Sequence, residues 1–102
     1  MHRGDVWDAD VPGVGQHPVV VVTRDTAVPV LQSVVCAVVS STVRGHRAEL
    51  EVNAEEGLDH HSAVNCDNLV SIRKHAMTRR RGHLGPAKLR QLDAALRLAL
   101  DL

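Results

Sequence analysis

The sequence predicts a mainly β fold with α: a small antiparallel β-barrel or sheet with one C-terminal α-helix packed on it. Three observations predict it. His17–Asp25, HPVVVVTRD, places four consecutive valines after a proline. Ser33–Val39, SVVCAVV, is a second unbroken apolar run. After Pro86 the period changes, and Leu89, Leu92, Leu96 and Leu100 recur at three- and four-residue spacing. Several strands followed by one amphipathic helix form such an architecture. At 102 residues the chain is one domain, 1–102.

Each element follows from local chemistry. Arg3–Trp7 opens with a short strand, and Asp10–Gln16, with Pro12, Gly13 and Gly15, reads as a loop. Valine is stiff at its first torsion and fits a pleat, so the valine run is a strand buried on both faces. Pro18 cannot donate to a ladder and is expected at the first position of that strand. His17 is then held at the mouth of a core strand. Asp25–Leu31, with Pro29, is a connection containing at most one helical turn.

The second apolar run ends at Ser40-Ser41-Thr42, and Arg44–Arg47 turns the chain. Ala48–Asn53 alternates, with Leu50 and Val52 inward and Glu49 and Glu51 outward. Ser62–Ile72 reads as one or two strands broken near Cys66-Asp67-Asn68. Arg73–Arg81 is polar and irregular, and Gly82–Gly85 is at most a brief strand. Pro86 suits the first helical position, where its missing N–H has no role. An amphipathic helix of about four turns then closes the chain.

Charge is balanced, at 12 basic and 12 acidic residues, so net charge names no partner. Ten of the basic residues are Arg, the better phosphate fork, and Arg79–Arg81 are consecutive. That run reads equally as a solvated loop. With one Trp and no Phe or Tyr, base stacking on aromatic platforms is nearly excluded. Cys36 and Cys66 make no disulfide framework, and Cys36 reads as a small core residue. Cys66 is a weak candidate nucleophile, with no specific base nearby. No signal peptide or membrane-length apolar run is visible, which predicts a soluble cytoplasmic protein. The cluster His60-His61 with Cys66 fits no zinc spacing, so no metal or other cofactor is expected. Asp67-Asn68 reads as a turn before it reads as a base-edge contact.

The ordered set of pieces resembles the MazF/PemK family of toxin endoribonucleases. The matching pieces are RGDVW at Arg3–Trp7, the Gly-containing loop, HPVVVVTRD at His17–Asp25 and VVCAVVSSTVRG at Val34–Gly45. ELEV at Glu49–Val52, SAVNCDNLVSI at Ser62–Ile72 and GHLG before a Leu-rich helix complete it. TVRG followed by CDN is similar to actinobacterial members in particular. The resemblance implies a Kid/CcdB-like, SH3-like barrel and a homodimer. It implies metal-free cleavage of single-stranded RNA at short sequences, and a MazE-like antitoxin whose tail lies in the RNA groove. Family members usually carry Arg before the Pro of the valine strand and Thr at the end of the next strand. Here these positions are His17 and Ser40, followed by Ser41 and Thr42. The first loop also lacks the acidic residue of many relatives.

Cleavage through the 2′-hydroxyl needs a base, an acid and donors for the charge building on phosphorus. Arg supplies charge at any pH, whereas His supplies it only when protonated but carries protons near neutrality. Three roles for His17 stay open: proton carrier, weak phosphate ligand, or remnant of a site that only binds. Ser for Thr keeps the hydroxyl. The resemblance therefore puts His17 and Ser40 at the chemistry and Arg3, Arg24, Ser41, Thr42, Arg44 and Arg47 along the RNA. Strand-end capping by His17 and turn bonding by the serines are the structural alternatives. Two further functions stay open for a protein of this fold: a CcdB-like toxin acting by binding gyrase, and a degenerate regulator that binds RNA or antitoxin.

Overall fold

A computed structural model describes Met1–Leu102. Six strands form one antiparallel sheet: β1 (Asp5–Val11), β2 (Gly15–Val21), β3 (Ser33–Ser40), β4 (Glu49–Val52), β5 (Ser62–Arg73) and β6 (Met77–His83). Their order is β4-β5-β3-β2-β1-β6, and helix α1 (Pro86–Leu100) follows. The sheet curls into a half-barrel, which brings β1 against β5 although two strands lie between them. The predicted architecture is the observed one.

β2 is the centre of this fold. Val19, Val20 and Val21 are all fully buried. Val20 faces one core with Val6, Ala37, Leu50, Val52, Leu84 and the helix residues Leu92 and Ala95. Val19 and Val21 face a second core with Ala9, Val34, Cys36, Ile72 and Met77. Successive strand residues point to opposite faces, so an unbroken valine run needs apolar partners on both sides. Each fully buried valine contributes roughly 1.5–3 kcal/mol. The turn after β2 is helical in character: Val28 N–H donates to Arg24 O and Leu31 N–H to Ala27 O.

Four sequence-based expectations need correction. β1 runs on to Val11 and β2 starts at Gly15, so the predicted loop shrinks to Pro12–Val14. Pro18 therefore sits inside β2, opposite Asp8. Met77–His83 is a strand, β6, paired with β1, and not irregular chain. The last of these has its cause in cross-strand charge pairing. Asp8 on β1 takes Arg79 and Arg81 from β6, both at 3.3 Å, and Asp5 meets Arg80 at 3.5 Å. Finally, β5 is continuous through Cys66–Asn68. The predicted break is a bulge, with Asn65 opposite Val38 and Leu69 opposite Ala37.

Asp5 is the buried hub of the β1–β6 seam, at 2% exposure. Its carboxylate accepts from His2 N–H (2.9 Å) and His83 Nδ1 (2.9 Å), with Arg80 beside it. Burial alone would raise its pKa; the His2 N–H, His83 and Arg80 outweigh it and hold the group below its ordinary value. A depressed carboxylate stabilises the fold above its unfolded pKa, about 3.9. That contribution is lost as pH falls through the lower folded value. Asp5→Ala is expected to lose about 1–3 kcal/mol at neutral pH. Its denaturant midpoint should also fall less steeply than the wild type's at acid pH. Equal slopes would remove Asp5 as the cause.

The 3₁₀ turn Ala54–Glu56 packs against β6 by backbone contact. A Cβ on Gly82 would collide with Glu56 O, and one on Gly57 (φ +92°) with Arg81 O. Gly82→Ala is expected to cost about 1–3 kcal/mol by overpacking, read from the urea midpoint.

Candidate active site

The site begins with a missing hydrogen-bond donor. Val22 N–H donates to Val35 O at 2.9 Å, and an antiparallel ladder bonds alternate residues. Continued along the β2–β3 register, Pro18 is the residue whose N–H would meet Val39 O. Proline has none. His17 supplies the donor instead: its Nε2 lies 2.5 Å from Val39 O. A carbonyl only accepts, so Nε2 carries the hydrogen, and in the neutral ring Nδ1 keeps the lone pair. No protein group bonds Nδ1. His17, expected at the mouth of the strand, instead lies inside β2 opposite Ala9; its Nε2 repairs the ladder while Nδ1 stays available for chemistry.

His17 lines a small cleft together with Ser41, Asp59, His60, Ser62 and Arg81. Arg81 forms its rigid wall. Nε donates to Gly57 O (3.0 Å), one terminal nitrogen to Asp8 (3.3 Å) and the other to Asp59 (2.8 Å). The hydrogen bond to Asp59, more than Asp8, raises the Arg81 pKa against the effect of burial. With all three nitrogens engaged, Arg81 shapes the cleft. Ser62 Oγ donates to His60 O at 3.0 Å and ties the Leu58–His61 segment to the head of β5.

Next to the cleft, Ser40 ends β3. Its Oγ accepts from Thr42 N–H at 3.0 Å, so the turn role expected of a strand-end serine is real. The hydroxyl hydrogen stays available to donate. The loop beyond is shaped by Glu49, which the alternation predicts to face outward. Instead the Glu49 side chain is only 2% exposed. Oε1 accepts the N–H groups of Arg44 (2.7 Å) and Gly45 (2.6 Å), and His46 Nε2 lies 3.4 Å from Oε2. Two backbone donors make a carboxylate's inward turn favourable. The result is a fixed loop from which Arg44 and Arg47 project, exposed and without ion pairs.

The other predicted arginines lie elsewhere. Arg3 donates from Nε to Val22 O (3.1 Å) and pairs with Asp93 on α1 at 2.8 Å. Arg24 borders an apolar groove with Val22, Leu31, Val35 and Leu69. Both sit beyond Val21, the far end of β2, which is four residues from His17, or about 14 Å along an extended strand. Within one chain, then, His17 and Ser41 share the cleft, Ser40 and Thr42 border it, and Arg44 and Arg47 follow on the next loop. Arg3 and Arg24 are separate from it.

Asp59, His60, Ser62 and Arg81 are the cleft residues that sequence reasoning does not single out as a site. Only β6 and the glycine contact bring them to β2, and no spacing in the chain signals it. Cys36 and Cys66 are buried, and burial pushes their thiols up to about 12 and about 11, so neither is a ready nucleophile. No three His, Cys, Asp or Glu side chains group as metal ligands. No helix is long and apolar enough to cross a membrane.

Comparison with known proteins agrees with this geometry. Residues 2–100 match the PemK-like, MazF-like toxin of type II toxin-antitoxin system family. The probable endoribonuclease MazF2 of Mycobacterium tuberculosis is 38% identical over 98 residues, covering 95% of each chain. The structure of the Mycobacterium tuberculosis toxin MazF-mt6 superposes with a TM-score of 0.89 at 33% identity, over 96% of this chain and 97% of that one. An endoribonuclease in complex with its cognate antitoxin, from a mycobacterial species, has the same fold, with TM-score 0.89 at 24% identity over 100% and 96% of the two chains. With its half-barrel, C-terminal helix and full-length match, the chain belongs to the PemK/MazF family of toxins of type II toxin–antitoxin systems.

Proposed function

We propose that this toxin is a metal-independent, sequence-specific endoribonuclease that cuts single-stranded RNA through 2′-hydroxyl attack, with His17 as the proton acceptor. One observation carries the reading. The ring of His17 is anchored through Nε2 on Val39 O, which leaves Nδ1 as the lone-pair nitrogen. A neutral imidazole fixed through one nitrogen is a general base through the other. As Nδ1 takes a proton, the bond from Nε2–H to Val39 O strengthens and stabilises the imidazolium. Ser40 and Ser41 supply neutral donors to the phosphate. Arg44 and Arg47, unpaired on the loop held by Glu49, supply charge beside it.

A second copy of the chain completes the groove in this reading. Val22, Leu31, Val35, Leu69, Leu96 and Leu100 form an apolar groove at the far end of β2, with Val35 and Leu100 41% and 52% exposed. Such a face on a small domain suits a homodimer. Arg24 sits at its rim, so dimerisation would carry its unpaired charge towards RNA crossing both subunits, while Arg3 stays paired with Asp93. The cognate MazE-like antitoxin is the protein partner, covering the same basic groove. Its site is the cytoplasm, where RNA substrates and reduced thiols occur together.

The test uses purified protein and a long single-stranded RNA in EDTA, with cuts mapped by primer extension across roughly pH 5 to 8. Discrete cuts at a recurring short sequence are expected. The rate should fall on the acid side, where His17 is protonated and cannot accept. His17→Ala should lose about 10²–10⁴-fold in rate while melting as wild type does. His17→Arg, which installs the residue usual in the family but cannot accept a proton near neutrality, separates the roles: loss of cutting supports proton transfer at His17, and retained cutting would overturn it in favour of a phosphate ligand. No cutting by a folded dimer would overturn the reading and direct attention to gyrase binding or a regulatory role.

A further inference from the structure

Transesterification needs two proton transfers on opposite sides of phosphorus. The 2′-oxygen enters on one side as O5′ departs on the other, roughly in line. An imidazole with one open nitrogen serves only one of them, and His17 has one. The second group has to come from elsewhere in the cleft.

The remaining lining residues narrow the choice. Arg81 holds its proton at all working pH, and its three nitrogens are committed to Gly57, Asp8 and Asp59. Asp59 is engaged as the acceptor for Arg81 at 2.8 Å. Ser62 gives its hydroxyl hydrogen to His60 O, and Ser41 is a hydroxyl that does not titrate in this range. His60 is left. Its ring is exposed and makes no hydrogen bond, while its backbone is tied down by Ser62. The neighbouring histidine differs: His61 is paired with Glu51 at 2.7 Å. Of two adjacent histidines that look alike in sequence, one is engaged on the surface and the other is free at the cleft.

We infer that His60 is a second catalytic residue, the general acid that protonates the leaving O5′ across the cleft from His17. The inference rests on the nuclease reading above. In the step, the 2′-hydroxyl proton passes to His17 Nδ1 as the 2′-oxygen–phosphorus bond forms. The phosphorus–O5′ bond breaks, and O5′ takes its proton from the His60 imidazolium. The products are a 2′,3′-cyclic phosphate and a 5′-hydroxyl. The histidines finish with exchanged protonation and reset through water. The charged groups facing His60 are Asp59 beside it, Arg81 from β6 and His17 from β2, with the His61–Glu51 pair next to them.

The experiment is single-turnover cleavage of a mapped RNA site as a function of pH. The wild type should give a bell, with His17 responsible for the acid limb and His60 for the alkaline limb. His60→Ala should be about 10²-fold slower or worse at neutral pH and lack the alkaline limb. Replacing the scissile O5′ by sulfur, which leaves without protonation, should restore His60→Ala to near the wild-type rate. It should not restore His17→Ala. His61→Ala should keep the wild-type bell. A His60→Ala protein with an unchanged bell, or a slow one that sulfur fails to rescue, would overturn the assignment of His60 alone. A wild-type protein that cuts no RNA would overturn the nuclease reading and the assignment with it.

Discussion

Strand β2 must satisfy two demands at once, and the rest of the molecule depends on how it does so. It is buried on both faces, so its valines need a core on each side. It is also central in the sheet, so both of its edges need hydrogen-bond partners. Pro18 breaks the second demand by removing a donor opposite Val39. An unmet carbonyl inside a sheet costs free energy comparable to a lost hydrogen bond. The imidazole of His17 meets it. The same contact fixes the ring, chooses its tautomer and turns the lone-pair nitrogen free of the protein. A repair to the fold thus prepares a side chain for proton transfer.

The second edge of the curl is held by charge. Asp5 and Asp8 on β1 face three consecutive arginines on β6, and α1 reaches back through Asp93 to Arg3. Surface ion pairs contribute little singly, but Asp5 is buried and shared among His2, His83 and Arg80. Arg81 extends the network to Asp59 and so fixes the far wall of the cleft. Gly57 and Gly82 let the backbone of the Ala54–Glu56 turn touch β6, which sets where the Leu58–His61 segment meets β2. The arginines therefore divide by role. Arg3, Arg79, Arg80 and Arg81 are consumed in holding the fold, while Arg24, Arg44 and Arg47 keep unpaired charge. A balanced net charge conceals this division.

Much of the fold is legible in the chain because it depends on local period. The valine run, the apolar run through Cys36, the alternation at Leu50 and Val52, and the leucine helix each report their own burial. The family is legible too, since the ordered motifs span nearly the whole length. By itself, then, the sequence determined the mainly β architecture, both faces of β2, the C-terminal helix and His17 as the residue to examine. Tertiary structure decided the rest. β6 is a strand because its arginines meet aspartates more than sixty residues away in the chain, a pairing that no window reveals. Glu49 turns inward because two N–H groups of a neighbouring loop converge on it. His60 stands at the cleft and His61 does not because the glycine contact between two distant segments orients their loop. Local period encodes which residues are buried; only the closed sheet sets which polar groups meet.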